Sequence, residues 1–323
     1  MTGDTTAASS LYDLVMFSSS MMGDLGIAGA LADLRPWILA DTEQGLSWSD
    51  LGPYDNTASP MYQQQVVGVP WTETPFLMYV NWPLLSSVYN IRRPAQTEVG
   101  RLPFYPDTWQ ELLAVMRRVN ATASDPVTSK PRHALCMRYN SDTSYLLHAV
   151  MASMMQTQGY SQGYIYDPLT LQPLTNTTAM QQALRIVWEL TSFVRGFDTA
   201  VDSIDMAQCA IALSGASVFQ SLNPVHSNAQ FMGQLAMSPL PASTEVLDRS
   251  TMQLVPCTAQ LCNSQRSSQL GGQLANLSPS RYQPSLFLGM SATVPRQMQS
   301  AVFNFMAGVS GPNMTKVGKK ALR

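Results

Sequence analysis

Along the chain, short apolar runs alternate with longer stretches whose apolar residues recur at helical spacing, a pattern that predicts strands interleaved with helices. The first run, Leu14, Val15, Met16 and Phe17, is followed at once by Ser18, Ser19 and Ser20. Leu25, Ile27, Ala28, Leu31 and Leu34 then mark one helix, with Pro36 just after it. The expectation is a buried strand, a loop of small hydroxyls, and a helix that stops before the proline. A strand ending in small polar residues at a helix start is where open α/β sheets hold ligands. It is equally the form of an ordinary βα turn, so the spacing leaves both readings open.

Downstream, residues 56–62 read as a polar linker. Val66, Val67 and Val69 begin a strand that residues 76–80 continue, while Pro70 and Pro75 favour a crossover over a central ladder. Residues 88–106 form a loop. Thr108-x-x-Glu111 is a capping box, and Leu112, Leu113, Val115, Met116 and Val119 give the helix behind it an apolar face. Residues 132–137 predict a strand, 143–158 an apolar helix and 179–194 an amphipathic one. Residues 243–280, rich in Ser, Gln and Gly, read as an inserted surface loop. The alternation implies an α/β protein with parallel or mixed sheets covered by helices.

Several of these blocks resemble, in order, those of the extracellular solute-binding proteins that serve ABC importers. The helix phrase Gly29-Ala30-Leu31-Ala32-Asp33-Leu34 comes first, followed by residues 47–54 (SWSDLGPY), which resemble the Trp-x-Asp linker. Residues 66–85 resemble the strand that passes between lobes, and residues 107–119 resemble the Thr-Trp-x-Glu-Leu helix. Residues 206–219 and Pro239-Leu240-Pro241 complete the series. The resemblance implies a two-lobed fold of the type II periplasmic-binding-protein class. The first lobe and interlobe strand would occupy residues 1–82, the second lobe 83–240, the inserted loop 241–283, and the return to the first lobe 284–323. Against the family pattern, strands before the first block and closing helices at the other end are missing, so the first lobe is expected to be incomplete at both ends.

Composition agrees with this reading. The 323 residues are 45% hydrophobic, enough to bury a sizeable core. Only 12% are charged and the formal net charge is −2, with no basic stripe, which disfavours nucleic acid as a partner. The residues after Met1 are not expected to act as a signal peptide, and no apolar run in the sequence has membrane-spanning length. Asn120, Asn176, Asn276 and Asn313 head Asn-x-Ser/Thr triplets, mild support for a secretory route. Of the four cysteines, Cys257 and Cys262 enclose a short polar spacer that a disulfide can close in an oxidising compartment. Cys136 and Cys209 lie in apolar runs and are expected as free core thiols.

No complete reacting constellation is visible. His133, His148 and His226 are far apart and lack metal-ligand spacing, and residues 214–217 (SGAS) lack the flanking glycines of a nucleophile elbow. The chain is expected not to be an enzyme and to need no cofactor or metal.

Site residues follow from the resemblance instead. Ser18, Ser19 and Ser20 take the place of the first-lobe loop that contacts ligand. Trp71, Glu73 and Thr74 fall on the interlobe strand, Arg138, Tyr139 and Asp142 follow a second-lobe strand, and Ser217 and Phe219 stand where sugar-binding relatives place stacking aromatics. For Trp71, Tyr139 and Phe219, core packing is an equal alternative. The function implied is non-enzymatic capture of a small polar solute, a sugar by subfamily resemblance, outside the cytoplasm. The partner implied is a membrane permease or a fused membrane signalling module. Two alternatives stand beside it: the ligand-sensing ectodomain of a nucleotide cyclase or kinase receptor, and a degenerate interaction scaffold.

Overall fold

The computed structural model describes residues 12–41, 45–51, 59–72, 75–91, 106–120, 133–159, 161–194, 209–215, 235–270, 272–279 and 286–312. They divide into two compact units, the first made of Met1–Glu73 with Gln283–Arg323 and the second of Thr74–Tyr282. The boundary lies ahead of the expected 82/83 junction.

In the first unit, β1 (Leu14–Ser18) runs through a short 3-10 turn into α1 (Met22–Ile27). The helix ends earlier than its apolar spacing suggested. Gly29 adopts φ +61°, its N–H reaches the Gly26 carbonyl at 3.0 Å, and the Ala30 N–H reaches that of Leu25 at 3.0 Å. These are the two bonds of a Schellman close, which glycine permits because it has no Cβ to clash at positive φ. Pro36 therefore does not follow that helix. It sits in the first turn of a new one, α2 (Arg35–Ala40), where its missing N–H would have no intrahelical partner anyway. The chain continues through the hairpin of β2 (Met61–Tyr62) and β3 (Gln65–Val66) to β4 (Val69–Thr72).

The second unit opens with β5 (Phe76–Asn81), so this strand is not part of the first unit as expected. Helix α3 (Trp82–Tyr89) follows, then α4 (Trp109–Asn120). Here the capping box closes. The Glu111 N–H donates to Thr108 Oγ1 at 3.2 Å, and Glu111 Oε2 accepts the Thr108 N–H at 3.1 Å and the Asp107 N–H at 2.8 Å. Trp109, Leu112, Leu113, Val115, Met116 and Val119 are buried along one face. Next come β6 (His133–Cys136), α5 (Tyr139–Met155), α6 (Thr178–Ser192), β7 (Cys209–Gly215) and β8 (Leu235–Ser238). The sheet order is β6-β7-β5-β8, with β6 parallel to β7 and β5 antiparallel to both β7 and β8. All seven residues of β7 are buried, which fits a central strand covered on both faces. The core packs α3, α4, α5 and α6 against this sheet, and each fully buried large side chain contributes roughly 1.5–3 kcal/mol.

The Ser- and Gln-rich segment is not a plain surface loop. It folds into two hairpins, β9 (Glu245–Asp248) with β10 (Gln253–Pro256) and β11 (Ser267–Leu270) with β12 (Gln273–Asn276). Val246, Leu247 and Ala275 are buried. Asp248 ties the first turn, its carboxylate accepting from the Ser250 N–H at 2.9 Å, Ser250 Oγ at 2.7 Å and Thr251 Oγ1 at 2.9 Å. Those bonds hold its pKa below the ordinary aspartate value, the Ser250 hydroxyl foremost. Polar composition hid a backbone that local side-chain bonds organise. The disulfides also depart from expectation. Cys257 and Cys262 are joined with S–S 2.09 Å, but Cys136 and Cys209 are joined as well, with S–S 1.98 Å, and are not free thiols. An apolar run is as compatible with a buried half-cystine as with a thiol, and only the placing of β6 beside β7 decides between them.

The chain returns to the first unit as β13 (Leu286–Met290) and α7 (Arg296–Ser310). The strand β13 is the middle of the order β1-β13-β4 and is antiparallel to both neighbours. Phe17, Val67, Val69, Phe287, Leu288 and Met290 are buried around it.

Candidate functional site

In the first unit the sequence-predicted residues cluster at the end of β1. Ser18 closes the strand in extended conformation, φ −86° and ψ 158°, and Ser19 and Ser20 begin the 3-10 turn. The last two are exposed and Ser18 is half-buried. Ser18 Oγ and Ser20 Oγ lie 2.6 Å apart in a mutual hydrogen bond. The helix behind them is only six residues long, so the dipole argument carries little weight and the loop offers chiefly its hydroxyls. Neutral hydroxyls that both donate and accept suit a polar, uncharged solute.

Trp71 belongs to the same unit. The register between β4 and β13 shifts there, Leu286 facing Thr72 and Phe287 facing Pro70, which leaves Trp71 as the extra residue of a bulge. Its side chain is 37% exposed, so the core-packing alternative does not hold for it. Glu73, Thr74, Ser217 and Phe219 lie outside the described residues.

In the second unit Arg138, Tyr139 and Asp142 come together where β6 enters α5, beside the end of β7. Arg138 is the helix N-cap and Tyr139 the first helical residue. The Asp142 side chain has 0% exposure. Its Oδ2 accepts the Arg138 N–H at 2.8 Å and the Ser214 hydroxyl at 3.2 Å, and its Oδ1 lies 3.4 Å from Arg138 Nε. Asp142, expected as a ligand contact, here binds groups of the protein itself. A carboxylate so enclosed fixes the turn and the base of the arginine side chain, while the guanidinium, on a side chain 34% exposed, is the group that solvent reaches.

Ser214, weighed in the sequence only as part of a nucleophile elbow, has a positioning role that the sequence did not suggest. It is fully buried on β7, and next to it the Gly215 carbonyl accepts the Tyr79 hydroxyl at 3.1 Å. The available signal was its place at the polar end of an otherwise apolar strand. Among the described residues, no group of three His, Cys, Asp or Glu side chains could hold a metal ion, and no helix is long and apolar enough to cross a membrane.

No protein-family profile matches the chain, and no curated protein matches it in sequence. Solved structures do match in fold. A solute-binding protein of an ABC transporter from Agrobacterium vitis S4, with bound D-mannitol, superposes with a TM-score of 0.58 at 13% identity, covering 99% of this chain and 64% of its own. The fold is that of the ABC transporter solute-binding proteins. A second example from Agrobacterium radiobacter K84, in complex with ribitol, gives a TM-score of 0.60 at 14% identity over 97% of this chain and 67% of its own. The sugar-binding protein MalE from Xanthomonas citri gives 0.62 at 14% identity over 96% of this chain and 64% of its own. Almost all of this chain is thus matched, while it spans about two thirds of the length of the first two proteins, 64% and 67%. The two units and the mixed α/β sheets fit the fold class that the ordered sequence blocks implied.

Proposed function

We propose that this chain captures a small neutral polar solute of the sugar or polyol class and releases it unchanged. The observation that carries the reading is the match, over nearly the whole chain, to solute-binding proteins with bound D-mannitol and ribitol. The chemistry of the exposed residues supports it. Ser18, Ser19 and Ser20 offer uncharged hydroxyls, Trp71 an exposed indole, and Arg138 a guanidinium balanced by Asp142. Sugars are held by such sets, hydrogen-bonding groups with an aromatic face. Tyr139, Glu73, Thr74, Ser217 and Phe219 complete the proposed ligand set by family position. Capture of this kind takes place outside the cytoplasm, where two disulfides are at home, and a membrane permease is the partner that would take over the solute.

The test is a thermal-shift screen of hexitols, pentitols, monosaccharides and disaccharides, with amino acids as the contrasting class. A true ligand at a hundredfold its Kd stabilises the folded state by about 2.7 kcal/mol. A rise in Tm with one or more sugars or polyols is expected. Stabilisation by amino acids alone would replace the ligand class, and no shift from any solute would count against capture.

A further inference from the structure

Two of the four Asn-x-Ser/Thr triplets have opposite surroundings. Asn176 is exposed, in the turn that leads into α6. The following residues fix that turn. Thr177 is the helix N-cap, its hydroxyl accepting the Met180 N–H at 3.2 Å and donating to the Leu174 carbonyl at 2.8 Å. Thr178 Oγ1 accepts the Leu254 N–H at 3.0 Å. These bonds hold the backbone on either side of Asn176 and leave its own amide at the surface.

Asn276 is the reverse case. It has 0% exposure, and its Nδ2 donates to the Ser153 carbonyl at 2.7 Å and the Gln156 carbonyl at 3.2 Å, at the end of α5. Both amide hydrogens are engaged, so a substituent on this nitrogen would remove one bond and require space that a fully buried side chain does not have. Asn120 is also exposed, at the end of α4, but its triplet continues outside the described residues, and Asn313 lies outside them.

We propose that Asn176 is an N-glycan acceptor and that Asn276, although it heads the same kind of triplet, carries no glycan in the folded protein. The co-reactant is a lipid-diphosphate-linked oligosaccharide. Asn176 Nδ2 attacks its anomeric carbon, the N–C bond forms as the C–O bond to the diphosphate breaks, the lipid diphosphate leaves with the electron pair, and the amide proton passes to the transferase's base. The two disulfides suit an oxidising compartment, the setting in which eukaryotic cells perform this transfer. The inference is independent of the solute-capture reading.

The experiment directs the whole chain into the secretory pathway of a eukaryotic cell and isolates the folded monomer. Peptides are then mapped before and after an amidase that converts glycosylated Asn to Asp. The Asn176 peptide is expected to convert and the Asn276 peptide to remain Asn. Asn176→Gln should lower the glycan count by one, read in secreted protein or after translation into microsomes, and leave Tm unchanged because the side chain is exposed. A folded monomer carrying carbohydrate on Asn276, a bare Asn176, or an unchanged glycan count in the Asn176→Gln variant would each overturn the proposal.

Discussion

Cys136 on β6 and Cys209 on β7 are bonded across 73 residues of sequence, with Cα atoms 5.9 Å apart. The second bridge, Cys257 to Cys262, closes only five. If disulfides act by restricting the unfolded chain, the long closure contributes about 4 kcal/mol and the short one about 2 kcal/mol. Replacing each pair by alanine should therefore give unequal losses in urea unfolding, with Cys136/Cys209 the larger. Equal losses, or a larger one for the short loop, would contradict this ordering.

Asn276 offers a second measurement. Its amide satisfies two carbonyls at the end of α5, and Ser153, whose carbonyl is one of them, also receives the indole N–H of the buried Trp109 at 3.0 Å. Asn276→Leu should cost about 2–4 kcal/mol, because two buried acceptors lose their donor. Equilibrium denaturation reads this directly. A change under 1 kcal/mol would show that water takes the amide's place.

Positioning and contact can be separated by pairing Asp142→Ala with Ser19→Ala. The first removes the acceptor for the Arg138 N–H and the Ser214 hydroxyl, so it should lower stability by about 2–4 kcal/mol even without solute. The second alters an exposed hydroxyl and should leave stability within about 0.5 kcal/mol while reducing the ligand-induced rise in Tm. If Ser19→Ala leaves that rise intact, the serine loop does not touch the ligand.

His148 supplies a pH dependence. Its Nδ1 lies 2.9 Å from the Tyr164 hydroxyl, with the two rings edge to face at 5.7 Å. Desolvation holds its pKa below the ordinary value, so between the unfolded pKa of about 6.5 and the lower folded value the unfolded chain binds more protons. The neutral ring carries no penalty above that range, and stability falls as pH drops through it. Denaturant midpoints at pH 8 and pH 5 should show the decline, and His148→Gln should flatten that segment of the curve.

How far the sequence led can be judged residue by residue. Thr108 and Glu111 announced a helix start because a capping box is a local device, complete within four positions. Leu14 to Ser20 announced a strand with a hydroxyl loop for the same reason. Pro36 misled because a proline after an apolar run can stop one helix or open another, and the choice was made by Gly29 earlier in the chain. Partnership across distance was not legible. Neither the Cys136–Cys209 bond nor the burial of Asp142 under Ser214 has a local signature, since each depends on β6 lying beside β7. The hairpins in residues 243–280 were missed because serine and glutamine suggest solvent, although Val246 and Leu247 carry the apolar contacts that dock them.

The position of β13 has a consequence for how the chain comes into being. Its residues are synthesised after the whole of the second unit, yet among the described residues β1 and β4 are joined through it. As the nascent chain emerges, Thr74–Tyr282 is an uninterrupted stretch complete before β13 is made, while the two early strands must wait some two hundred residues for the one that joins them. A ribosome that stops before Leu286 would thus release β1 and β4 without the strand that joins them, although every residue of the second unit had already been made.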